Sequence, residues 1–342
     1  MNRGRISYRS PSYYEVATEN KRSWRNFRDE TYWEYRRLWE ERPLKMDPGD
    51  FPLHVDVDTT NACNLRCTMC PRTHYLDTGR TAWAPKGKIG FIDFKLYQKI
   101  IDQAADGGAY SIKINWLGEP LLHPEVIEQV HYAHQRGLEV MMNTNATLLN
   151  REMSERLLEA GLADVFFSVD SPYPEVYEQT RVGARFEQVL GHIRTFIETQ
   201  QRLGLYHVQT RVSMVIDPCR PEIEKEKEDF KRLFLDLGLA EIGYGLLTDM
   251  KVDYRQEYGR IEGFVCRDIF HRLFVFLDGE IGPCCGHWER GFRLGNIKTD
   301  TLKNIWHNRS YQVLRETHAG GRYDRIPMCR ACSVPWLSRQ EI

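Results

Sequence analysis

The residues of this chain best suited to chemistry are its cysteines. Nine occur in 342 residues, and most fall into two clusters. Directly after the run LHVDVD the chain reads TTNACNLRCTMCPRT, which spaces Cys63, Cys67 and Cys70 as C-x3-C-x2-C. Three thiolates in one loop, with no fourth Cys or His at ligand spacing, suit an iron-sulfur cubane that leaves one iron open to a small molecule. A structural zinc ion is the alternative, and it usually wants four ligands from two close pairs. Asn61, Asn64, Arg66 and Thr68 make the loop polar, which argues against inert buried thiols. The second cluster holds Cys266, Cys284, Cys285, Cys329 and Cys332, the last pair as C-x2-C in PMCRAC. Four thiolates drawn from it, Cys266, Cys284, Cys329 and Cys332, would close a cluster with no open iron, with zinc again the alternative. Adjacent thiols cannot be ranked from sequence, so Cys285 stands as a substitute for Cys284. Cys219, in IDPCRPE, stands alone.

The elements that must position these loops follow from periodicity. From Phe51 onward, short β-branched runs alternate with amphipathic helical stretches, the pattern of repeated βα units and a parallel sheet. Strands are expected at 53–58, 111–116, 139–144, 164–170, 208–216 and 241–247. The predicted fold class is α/β, a partial (β/α)6 TIM-like barrel, in which chemistry sits where strands end and loops begin. After about residue 257 the pattern changes: Asp278-Gly279 between two apolar runs signals a hairpin, and TLKNIWHNRSYQVLRETH a helix. The expected division is a helical extension at 1–50, the barrel at 51–257 and a small α+β domain at 258–342.

The first cysteine loop resembles the hallmark of the radical S-adenosylmethionine (SAM) superfamily. In that family a 4Fe-4S cluster binds SAM through its free iron and cleaves it reductively to a 5'-deoxyadenosyl radical, while the protein orients and shields. The resemblance extends to later strand ends. Gly118 and Glu119 look like the family's glycine-glutamate motif, although Leu117 stands where the first glycine often is. Asn145 in NTNAT is similar to the ribose-contacting position, Ser168 and Asp170 to polar SAM contacts, and Arg181 to a partner of the methionine carboxylate. FVFLDGEIGPCCG and the sequence after it resemble the SPASM and shorter twitch extensions, which implies a second, auxiliary 4Fe-4S cluster. The whole is most similar to twitch-domain dehydrogenases of aminoglycoside biosynthesis, which oxidise a cyclitol alcohol.

What surrounds the substrate is read from placement. Cys219 lies just past the fifth expected strand, where a thiol gives a hydrogen atom to a carbon radical in epimerisation or merely fills space. Arg211 is a candidate for substrate recognition, with a structural ion pair as its alternative. His54, Tyr75, Trp83 and Trp116 are candidate cavity walls, and residues 72–88 a candidate lid. Lys plus Arg (47) nearly balance Asp plus Glu (48), so no overall field favours nucleic acid or anionic membrane. No apolar run approaches the ~20 residues that span a bilayer, and the first residues lack a signal-peptide core, so a cytoplasmic location is expected. The expected partners are a small polyhydroxylated substrate, such as a sugar, aminocyclitol or nucleoside, and a reductant such as flavodoxin or ferredoxin. Maturation of a ribosomally made peptide and a zinc-stabilised binding protein are the competing functions.

Overall fold

The structure, a computed structural model, describes residues 12–16, 24–79, 89–216, 222–247, 263–286, 290 and 292–337. All six expected strands form: β2 (His54–Val57), β3 (Ser111–Lys113), β4 (Glu139–Thr144), β5 (Leu162–Ser168), β6 (Gln209–Ile216) and β7 (Glu241–Leu246). They lie parallel and in sequence order. Helices α3 (Phe94–Asp106), α4 (Val126–Gln135), α5 (Arg151–Glu159), α7 (Phe186–Arg202) and α8 (Ile223–Asp236) connect them. Asp93 and Asn150 begin α3 and α5 by accepting the Leu96 and Met153 N–H, and Pro71 and Pro174 open the short helices α2 (Pro71–Asp77) and α6 (Pro174–Thr180).

The sheet has edges rather than closing on itself. Two strands beyond the six continue it: β1 (Ser12–Val16) runs antiparallel along β7, and β8 (Arg272–Val275) parallel along β2. From β8 the Asp278-Gly279 turn, with Gly279 at φ +84°, returns the chain as β9 (Glu280–Gly282), and β10 (Gly295–Asn296) pairs next to it. The cysteine-bearing C-terminal segment is thus hydrogen-bonded into the sheet of the barrel.

Each strand divides its residues by face. Val55, Val57, Ile112, Val140, Met142, Val165, Phe167, Val212 and Met214 join the core cluster shared with the helices. The alternate positions include polar residues: His54 and Asp56 on β2, Lys113 on β3, Asp164 on β5, Arg211 on β6 and Arg272 on β8. Arg272 grips Asp56 through both carboxylate oxygens at 2.6–2.8 Å, and His54 hydrogen-bonds Ser111 Oγ at 2.8 Å. Burial opposes charge on Asp56, yet Arg272 and His54 hold its carboxyl well below the usual range. The N-terminal ends of the strands are covered by α1 (Glu30–Lys45), capped by the Asp29 carboxylate. Tyr35 stacks on Tyr110 at 4.3 Å, Trp39 on His271 at 3.8 Å, and Arg28 of the preceding turn pairs with Glu139 at 2.5 Å.

Candidate functional site

The first cysteine loop leaves the C-terminal end of β2 and is clamped from three sides. Thr59 Oγ1 donates to Ile114 O and Thr60 Oγ1 to Gly90 O, each at 2.8 Å. The Arg66 and Thr68 N–H groups donate to Val182 O and Thr180 O at 3.0 and 2.9 Å. Glu119 N donates to Ala62 O at 2.7 Å, and Gly118 presses so closely that a Cβ would stand 2.0 Å from Thr60 O. Glycine there is a packing requirement. Arg72 turns inward and donates to Asn61 O at 2.8 Å, so the start of the expected lid is instead α2, which anchors the loop. Burial raises the thiols of Cys63 and Cys67, the latter to about 11, while the Leu65 N–H faces Cys63 and Arg181 Nη1 stands 3.9 Å from Cys67 Sγ. Buried thiols with donors aimed at sulfur suit ligation, because a bound metal displaces their protons.

The polar residues at the next strand ends are tied to one another. Glu119 accepts from Thr144 Oγ1 at 2.7 Å, Asn145 N at 2.8 Å and Leu121 N at 3.2 Å. Burial pushes its carboxyl up to about 7 against these donors. Asn145 Nδ2 donates to Asn64 Oδ1 at 3.0 Å, linking the end of β4 to the cysteine loop. Ser168 is half-buried at the end of β5. Asp170, at φ +73°, accepts from Val215 N at 2.9 Å and holds Arg181 by Nε at 2.7 Å and Nη2 at 2.6 Å. The guanidinium fork is therefore closed on Asp170, with Nη1 left toward Cys67.

The second cysteine group gathers beside β8. The Asp268 N–H faces Cys266 Sγ and the Val334 N–H faces Cys332 Sγ, while burial pushes the thiols of Cys329 and Cys332 up to about 12 and 11. Cys266 N donates to His318 Nδ1 at 3.2 Å. The adjacent pair separates by environment. Cys284 feels Cys285, Cys266, Cys332 and Asp268, whereas Cys285 feels Arg272, Asp268, Asp56 and Lys113 and itself acts on Cys332. Trp116 Nε1 donates to Cys285 O at 2.7 Å, joining the end of β3 to this loop. Among the described residues no three His, Cys, Asp or Glu side chains are placed on a single metal ion. Thiolates bound to separate corners of a cubane have no such common focus.

Other expected positions fall elsewhere. Arg211 is engaged by Asp164 and lies over Phe166 at 3.8 Å, one alternate position below Ser213 on β6 and nearer its base. His54 also sits at the base, Tyr75 of α2 is buried against Leu117, and Trp116 packs edge-on against Phe274 and Phe276. Cys219 and Trp83 lie outside the described residues. Sequence reasoning passed over Asp56, Asp58, Lys113 and Arg272. The period-2 alternation of HVDVD was the available signal, since a strand covered on both faces is ordinarily apolar throughout.

Comparison with known proteins identifies two domains. The sequence model of the radical SAM superfamily matches residues 57–213, spanning β2 to β6. The chain carries a radical SAM domain. The SPASM iron-sulfur cluster-binding domain matches residues 266–333, which span the second cysteine group. This radical SAM chain is 25% identical over 327 residues to the tungsten-containing aldehyde ferredoxin oxidoreductase cofactor-modifying protein of Pyrococcus furiosus, covering 82% of this chain and 87% of that one. It is 24% identical over 296 residues to the antilisterial bacteriocin subtilosin biosynthesis protein AlbA of Bacillus subtilis, covering 75% and 60%. BtrN, solved in complex with AdoMet and 2-DOIA, superposes with a TM-score of 0.54 at 16% identity, over 85% of this chain and 97% of BtrN. SuiB of Streptococcus suis bound to S-adenosylmethionine gives 0.57 at 16% identity, over 78% and 68%. The fold is shared with both. The radical SAM domain implies a 4Fe-4S cluster and SAM, and the SPASM domain implies auxiliary iron-sulfur clusters. Among the described residues no helix is long and apolar enough to cross a membrane.

Proposed function

We propose that this radical SAM enzyme abstracts hydrogen from a small polyhydroxylated substrate held between the two cysteine loops, giving oxidation or epimerisation. The observation that carries the reading is the Trp116 Nε1 to Cys285 O bond, which puts the second cysteine loop across the same strand ends as the first. Cys63, Cys67 and Cys70 hold the SAM-binding cluster, and Cys266, Cys284, Cys329 and Cys332 the auxiliary one. When bound, that cluster would supply the electron for reductive cleavage of SAM. Glu119, Asn145 and Ser168 shape the SAM rim. Asp170 orients Arg181 against Cys67. Cys285, which feels Arg272 and Lys113, is left free of the auxiliary set. Arg211, paired with Asp164, supports the barrel wall below the substrate.

Anaerobic reconstitution tests this. About eight irons per chain are expected for two cubanes. Reduction in the presence of SAM and a panel of sugars, cyclitols and nucleosides should yield one 5'-deoxyadenosine per ketone if oxidation occurs. If the enzyme epimerises, Cys219→Ala stops turnover while 5'-deoxyadenosine still forms. Stoichiometric zinc without SAM cleavage overturns the reading. Peptide modification is the second reading, favoured by the similarity to AlbA and by the shared fold of SuiB, which is also solved bound to its precursor peptide SuiA. Turnover of a precursor peptide with none of the polyol panel would establish it instead.

A further inference from the structure

At the base of the barrel, at the opposite end of the strands from the first cysteine loop, α1 and the turn before it leave a cavity of about 40 Å³ against the sheet. One wall comes from the N-terminal segment, with Arg28, Tyr32 and Arg36, and the other from the strands, with Glu139, Asp164 and Arg211. Two of the three guanidinium groups are paired. Arg28 Nη1 meets Glu139 at 2.5 Å, and Arg211 Nε donates to Asp164 Oδ1 at 3.1 Å. Glu241 stands 3.8 Å from Arg211 Nε and is itself paired with Arg25 at 3.3 Å. The third guanidinium, of Arg36, lies over the rings of Tyr35 and Trp39 at 5.7 and 5.6 Å, and no carboxylate among the described residues pairs with it. The cavity is therefore lined by three cations against two carboxylates, with the charge of Arg36 unmatched.

Donors on the N-terminal wall are also unused. The Tyr32 hydroxyl has no hydrogen-bond partner among the described residues. Burial raises its pKa, while the guanidinium groups of Arg36, Arg28 and Arg211, in that order, all act to lower it. Three cations thus surround one phenol, and they make its position positive despite the carboxylates nearby. Arg28, whose side chain is 5% exposed, keeps Nε without a partner. A buried N–H left unmet costs stability until something accepts from it. The missing partner must accept several hydrogen bonds and carry negative charge, which describes an oxyanion, whose oxygens match guanidinium donors. By volume the cavity takes roughly three water molecules or one such group. Water would meet the donors and leave the charge unmatched.

We propose that this cavity is an oxyanion site, separate from the site of the radical chemistry, in which one phosphate-sized group is held by Arg28, Tyr32 and Arg36 from the N-terminal segment and by Arg211 from β6. The inference goes beyond the substrate reading and does not depend on it. Because the donors come from two distant parts of the chain, the anion fastens α1 to the base of the sheet. Occupancy stabilises the floor of the barrel.

The test uses the full chain, reconstituted anaerobically with iron and sulfide and then freed of small anions by gel filtration. Binding of inorganic phosphate is followed by calorimetry, with sodium chloride at equal ionic strength as the control. Phosphate should bind saturably, one per chain, and raise the midpoint of thermal unfolding, whereas chloride should do neither. Tyr32→Phe and Arg36→Gln should each weaken binding about tenfold, the scale of one lost hydrogen bond to a charged group. Iron content and circular dichroism report the fold of each variant. If Arg36→Gln fails to fold, Tyr32→Phe, which removes a single oxygen, decides alone. Absence of saturable binding, an equal response to chloride, or an unchanged affinity in either folded variant overturns the site.

Discussion

Arg181 reaches the first cysteine loop as a fixed positive charge, because Nε and Nη2 are occupied by Asp170 and Nη1 faces Cys67 Sγ at 3.9 Å. A cation beside a ligand thiolate stabilises the more negative, reduced cluster. Arg181→Gln is therefore expected to lower the midpoint potential of the SAM-binding cluster by tens of millivolts, measured by EPR-monitored titration without SAM. The auxiliary cluster should stay unchanged as an internal reference. The cysteine spacings were legible from sequence because ligand chemistry fixes residue type and separation together. The closure of Arg181 on Asp170 was not. It depends on a left-handed backbone at Asp170, φ +73°, and on the Val215 N–H that anchors its other oxygen. Asp58 was legible only as part of the HVDVD alternation, since orphaned oxygens are visible only when every neighbour is in place.

Among elements, the contact between the β3 loop and the first cysteine loop is the tightest constraint on the site. Gly118→Ala puts a methyl group 2.0 Å from a backbone carbonyl, which has no rotamer by which to yield. It should cost about 3 kcal/mol or more. The first cluster should suffer selectively: iron content after reconstitution should fall by about half, with the auxiliary cluster retained. Retention of all the iron would show that the loop relaxes. The six parallel strands were readable because each is a short apolar-alternating run followed by a helix of amphipathic period. Neither β1 nor the pairing of β8 with β2 was readable in the same way. Local periodicity marks a strand but carries no information about which distant strand it will join.

Across the whole molecule the two cysteine groups are coupled through the barrel. Cys285 feels the charges of Asp56, Lys113 and Arg272, while its neighbour Cys284 feels both Cys266 and Cys332, although Cys285 also acts on Cys332. Cys284→Ala should therefore abolish the auxiliary cluster, losing about four irons, and Cys285→Ala should keep it. Equal losses would show that the adjacent thiols exchange roles. The near balance of total charge conceals this arrangement, because opposite charges inside the barrel cancel in the sum. The join of β2 to β8 also governs how the chain is made. Asp56 and Arg272 are 216 residues apart, so the strand leading to the first cysteine loop leaves the ribosome with one edge bare and a buried carboxylate unmatched. Synthesis of most of the chain must pass before that edge is covered. Assembly of the N-terminal cluster loop into its final frame is thus a late event, timed by the arrival of the C-terminal hairpin.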